Sequence, residues 1–125
     1  MKRDMDLVRK ILFQMEEAEG GYADNDFAVD GYDEDAVGHH VWLMEQAGLV
    51  TAADMTAQQS PSPVALPLSI TWEGHEFLEN VRSDTVWQQV KRTIQEKGGG
   101  LSFDLVKAVA VYYAKQHIPG LGDVG

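Results

Sequence analysis

The chain has 125 residues, 44% of them hydrophobic, with three Trp, no Cys and a formal net charge of −10. This length and composition fit a folded domain with a real core and exclude a disordered chain. The lack of Cys excludes a disulfide framework and a thiolate metal site, and no apolar run approaches the roughly 18 residues that span a bilayer. The first ten residues, MKRDMDLVRK, are charged and lack the uninterrupted apolar region of a signal peptide, so a cytoplasmic protein is expected.

The charge is unevenly distributed. Residues 11–80 hold fourteen Asp or Glu and no Lys or Arg, whereas residues 81–125 hold six basic and four acidic residues. Nucleic-acid binders draw most of their affinity from Lys and Arg on phosphates, so the cation-free stretch is poorly suited to that task. Its acidity has two readings: solubility alone, or a face that meets a partner.

In chain order, Met5, Val8, Ile11, Leu12 and Met15 recur at three and four residues and predict a first helix, with Asp4 as its N-cap and Gly20-Gly21 as its stop. Phe27 and Val29 alternate with polar neighbours and predict a short strand ending at Gly31. A second helix is predicted from about Asp33 to Gln46, with Val37, Val41, Met44 and Ala47 buried and Gly48 at the C′ position. Leu49 to Met55 reads as a strand, TAQQSPSPVALP as a loop, and the alternation of Leu66, Leu68 and Ile70 as a returning strand. Thr71 is placed to cap a helix through Phe77, Leu78 and Val81, with Trp72 packing at the strand–helix junction. Asp84 to Lys97 follows as a helix with Val86, Trp87, Val90 and Ile94 on one face, and is broken by KGGG. Ser102 caps a last helix, SFDLVKAVAVYYAKQH, whose wide apolar surface calls for burial or for a second chain.

Three stretches, MKRDMDLVRKIL, GYDEDAVGHHVWLMEQAGLV and ITWEGHEFLENVRSDTVWQQVKRTIQEKGGGLSFDLVKAV, together resemble the bacterial and phage family known as domain of unknown function 2513. The run from Thr71, Glu73, Gly74 and Leu78 to DTVW carries the most specific part. The resemblance implies a winged-helix-like fold and frequent carriage by prophages and mobile elements; it supplies no activity and no catalytic residues. Residues 20–32 leave too little room for a complete second helix ahead of the recognition-like one. The expected architecture is therefore α+β: an abbreviated winged helix-turn-helix over residues 1–82, followed by two C-terminal helices over 83–125.

Little in the sequence points to catalysis. His39 and His40, as neighbours on a helix, point about 100° apart and cannot both face one metal, and no His-x-x-x-His pair exists. His75 beside Glu76 and Glu79 reads as a polar helix surface, and Glu73, Glu76 and Glu79 as solvated carboxylates. KGGGLS lacks phosphate-loop spacing. No catalytic residue, metal or cofactor is expected.

The function expected is that of a non-enzymatic interaction module that binds a protein with a basic surface. Its candidate contacts are Asp33, Glu34, Asp35, His39 and Trp42, and a host nucleic-acid-handling or defence complex, inhibited in the anti-CRISPR manner, would be the target. Asp33, Glu34 and Asp35 also suit a helix N-terminus by charge alone. Trp42 is either a core wedge or an exposed aromatic anchor. Two alternatives stand beside this reading. One is a transcriptional regulator touching DNA through Lys2, Arg3, Arg9 and Lys10, or through Arg82, Lys91, Arg92 and Lys97. The other is an assembly protein that self-associates through residues 102–117.

Overall fold

The computed structural model of the chain describes residues 2–18, 27–98 and 101–117. Among them are five helices and one two-stranded antiparallel sheet, an α+β arrangement. The order is α1 (Met5–Glu17), α2 (Glu34–Gln46), β1 (Val50–Asp54), β2 (Ala65–Ile70), α3 (Trp72–Val81), α4 (Asp84–Glu96) and α5 (Phe103–His117). The chain divides into two compact units, Met1–His75 and Glu76–Gly125. The division falls inside α3, ahead of the 82/83 boundary expected.

In the first unit α1 packs on α2 and β2, and α2 packs on both strands. Asp4 caps α1 by accepting from the N–H groups of Asp6 and Leu7. The buried stripe is Leu7, Val8, Ile11, Leu12 and Met15; Leu7 takes the inward place expected of Met5, which is half-buried. The predicted stop at Gly20-Gly21 lies outside the described residues.

The strand predicted around Phe27 and Val29 does not form over the described residues 27–31. The Tyr32 N–H donates to the Val29 carbonyl instead, closing a turn in which Gly31 adopts φ 88°. A left-handed glycine after Asp30 ends any extension, and three alternating residues cannot outweigh that.

Asp33 caps α2 by accepting the Ala36 N–H at 2.7 Å. At the other end the Leu49 N–H reaches the Met44 carbonyl and the Gly48 N–H the Glu45 carbonyl, with Gly48 at φ 79°. This is a Schellman stop, so Gly48 is the C′ glycine as predicted. Ala47, expected in the buried stripe, is the exposed C-cap. Inward places on α2 go to Val37, His39, His40, Val41 and Met44.

The β1–β2 ladder carries a bulge. Thr51 pairs with Ser69 while the next residue, Ala52, pairs with Pro67, which leaves Leu68 as the extra residue. The insertion reverses the side-chain alternation, so Ala65 and Pro67 face inward and Leu68 is 41% exposed. The returning strand expected from Leu66, Leu68 and Ile70 forms, but the three do not share one buried face. The strand also starts at Ala65, inside the stretch read as loop. Pro67 has no N–H to offer a ladder and is accommodated beside the bulge.

Thr71 caps α3: its hydroxyl accepts the Gly74 N–H and donates to the Gly48 carbonyl. Once that cap sets the phase, Gly74, Phe77, Leu78 and Val81 are buried, and Trp72 at the first helical position is 76% exposed. Trp72 thus does not pack at the junction as expected. Gly74 is required there, because a Cβ on it would lie 2.0 Å from the Leu49 carbonyl oxygen and 2.8 Å from Ile70 Cγ2.

In the second unit, Ser83 caps α4 through the Val86 N–H, and Val86, Trp87 and Val90 are buried. Phe77 meets Phe103 edge-on at 5.2 Å. On α4 the Thr93 hydroxyl donates to the Gln89 carbonyl and lies 3.0 Å from the Tyr113 hydroxyl of α5. Ser102 caps α5 through the Leu105 N–H. Of that helix's broad apolar surface only Val106 and Ala110 are buried, while Leu105, Val111 and Tyr112 are exposed.

Candidate functional site

The first turn of α2 concentrates charge. Asp33, Glu34 and Asp35 are all exposed, and they stand at the end of the helix where the peptide dipole contributes about half a positive charge. Three carboxylates exceed that contribution several-fold, so the turn remains strongly negative. Asp33 is committed to capping; Glu34 and Asp35 extend from the exposed side.

Beside this turn lies a cleft of about 140 Å³ between α2 and the entry to β2. Its walls are Phe27, Val37, Gly38, Met55 and the run from Val64 to Pro67, with Glu34 and Asp35 among the lining residues. Gly38 makes the close approach feasible, since a Cβ there would lie 3.0 Å from Val64 Cβ.

The segment carrying Val64 is held by polar contacts. The Thr56 hydroxyl donates to the Val64 carbonyl and accepts the Val64 N–H. The Met55 N–H also reaches the Val64 carbonyl. Asp54 accepts the Thr56 N–H, and hydrogen bonding from Thr56 lowers the Asp54 carboxyl below its usual range.

His39 is not a surface contact. It is buried, its Nδ1–H donates to the Pro63 carbonyl at 2.9 Å, and its ring stacks on Trp42 at 5.7 Å. A carbonyl can only accept, so that bond fixes which ring nitrogen carries hydrogen. The expectation that His39 meets a partner is corrected: its ring supports the loop ahead of β2. Trp42 is half-buried against it, which makes it part wedge and part surface.

His40 is a structural element that its sequence neighbourhood does not announce. It is 2% exposed; its Nδ1–H donates to the Ala36 carbonyl and its Nε2 accepts the Asp4 N–H, both at 2.8 Å. Only the neutral ring can make both bonds. Burial lowers its pKa, opposed by the Ala36 hydrogen bond and the Asp4 charge and reinforced by His39. The ring thereby ties the cap of α1 to α2. A histidine on an otherwise inward-facing helix surface was the available signal, but sequence does not reveal the distant N–H that satisfies it.

The cations proposed for DNA lie elsewhere. Lys2, Arg3 and Lys10 are exposed and Arg9 is half-buried, with the Arg9 guanidinium 4.8 Å from the Phe13 ring centre and the Lys10 ammonium 5.3 Å from that of Tyr32. In the second unit Arg82 pairs with Glu79 at 2.7 Å, Arg92 and Lys97 are exposed, and Lys91 is half-buried. None belongs to α2 or the hairpin. Glu73, His75 and Glu76 are exposed on α3. Among the described residues no three His, Asp or Glu side chains gather to hold a metal ion, and no helix is long and apolar enough to cross a membrane.

A family model described as "Hypothetical protein (DUF2513)" matches residues 2–100. A Haemophilus influenzae protein described as uncharacterized is 42% identical over 113 residues, spanning 88% of this chain and 92% of its own. No solved structure matches the chain. The family model covers most of the chain, and the chain belongs to the DUF2513 family.

Proposed function

We propose that the chain is a protein-binding module built on a winged-helix-like scaffold, with α2 in the place of the recognition helix and the β1–β2 hairpin in the place of the wing. The observation that carries this reading is the exposed Glu34–Asp35 edge of α2 beside an apolar cleft, within a 70-residue stretch that has no Lys or Arg. Phosphate is repelled by such a face, and a basic protein surface is attracted to it. The module acts without catalysis. It occupies a surface that nucleic acid would otherwise use, as an inhibitor of the anti-CRISPR kind would do to a host nucleic-acid-handling complex. Carriage by phages or prophages fits such a role, as does function in the host cytoplasm.

The test is a comparison of affinity captures from the native host with the wild-type chain and with a Glu34→Lys/Asp35→Lys variant. Asp33 is left in place because it caps the helix. A basic protein retained by the wild type and lost by the folded variant supports the reading. Equal retention by both removes the acidic edge from the account.

A further inference from the structure

The cleft beside α2 is more selective than the acidic edge alone. We propose that it receives one apolar side chain, of leucine or methionine size, from a partner segment in which Lys or Arg flanks that residue. This deepens the reading of a basic protein partner and rests on it.

Size sets the first limit. About 140 Å³ matches the apolar cavities that hold a single benzene-sized group, and is too small for a helix face or a nucleobase pair. The lining sets the second. Val37, Val64 and Leu66 present aliphatic walls, and Met55, 52% exposed, offers a flexible thioether that adapts to the shape of the entering group. At Gly38 the α2 backbone sits directly against the Val64 side chain, with no room for a larger residue there.

Charge sets the third limit. Glu34 and Asp35 are the charged residues of the lining. An apolar side chain with neutral neighbours would gain only burial, whereas flanking Lys or Arg would also meet the two carboxylates. Flanking Asp or Glu would be repelled. Carboxylates at the edge and aliphatic walls inside therefore select for a basic–apolar–basic segment.

The experiment uses the isotope-labelled full chain and three synthetic peptides, followed by amide chemical shifts. The peptides are Lys-Arg-Leu-Arg-Lys, the same with Ser for Leu, and Glu-Glu-Leu-Glu-Glu. The first is expected to shift the Gly38, Met55 and Leu66 amides saturably. The Ser peptide is expected to bind on the order of tenfold more weakly or worse, as loss of a buried leucine requires. Met55→Lys, at an exposed position, is expected to weaken the Leu peptide about as much while leaving the remaining spectrum unchanged.

Equal binding of the Leu and Ser peptides, with Met55→Lys silent, overturns the cleft proposal yet leaves the acidic edge standing. Equal binding of the acidic peptide overturns both. Shifts of the same amides on dilution without peptide identify a second copy as the occupant and overturn the proposal, as does the absence of shifts with all three peptides.

Discussion

The two units are held by different kinds of contact. In Met1–His75 the elements meet at points where one atom more or less matters: the Gly74 Cα against the Leu49 carbonyl, Gly38 against Val64, the His40 ring between Ala36 and Asp4. In Glu76–Gly125 the residues are held by bulk, with Trp87 buried and Phe77 edge-on to Phe103, while α5 leaves much of its apolar surface exposed. The family match covers the first unit from residue 2 and the second as far as α4, since it ends at residue 100 and leaves α5 outside. The unit with the exacting contacts is also the one that carries most of the cation-free stretch, and the cleft. Exact contacts there fix a surface, which is what a binding site needs.

The largest test of that contrast pairs two glycines. Gly74→Ala places a methyl group onto backbone oxygen and is expected to cost about 3 kcal/mol or more, seen as a lowered denaturation midpoint. Gly98→Ala meets no atom within 4 Å and bears only the penalty of φ 80°, about 1 kcal/mol. Similar costs at both positions would break the distinction between the units.

His40 gives the next effect, and it depends on pH. Its folded pKa lies below the ordinary 6.5 because burial disfavours the charged ring. Above pH 6.5 the ring is neutral in both folded and unfolded chains, and its contribution is fully present. As pH falls below 6.5 the unfolded chain takes up the proton first, so stability declines down through the folded pKa. His40→Leu should remove this group's share of the pH dependence. At neutral pH it should cost about 1–2 kcal/mol, since the part-buried Asp4 N–H loses its acceptor. Urea titrations of both forms at neutral and mildly acidic pH measure the two effects together.

Thr71→Val is expected to cost about 1 kcal/mol, the value of an N-cap, and to expose the Gly74 amide to faster hydrogen exchange. An unchanged exchange rate would mean that the Thr71 hydroxyl does not hold the start of α3.

Local chemistry made much of this fold legible. Asp4 and Thr71 cap helices where their sequence neighbourhoods place them, Asp33 lies one residue ahead of the helix it is expected to begin, and Gly48 ends α2 in the left-handed conformation expected. Structure departs from sequence pattern where a distant contact decides the outcome. Leu68 faces out because a bulge forms against β1, and Trp72 faces out because the phase of α3 is set by Thr71 and by the need for Gly74 at Leu49. The acidic edge could be read from composition, since charge needs no fold to be counted. The cleft could not, because it exists only where Gly38 admits Val64. Gly38 itself was the visible clue: a glycine inside an otherwise helical pattern marks a close approach. His39 departs from its expected surface role and the role of His40 stays hidden for the same reason, as their ring nitrogens are satisfied by Pro63 and Asp4, far away in sequence.

The most direct measurement of the central claim follows the α2 amides while the full chain is titrated, at moderate salt, first with a short DNA duplex and then with polylysine. The account predicts shifts at Glu34, Asp35 and Gly38 with polylysine and none with DNA. Shifts of those amides with the duplex would contradict it and return α2 to the reading of nucleic acid.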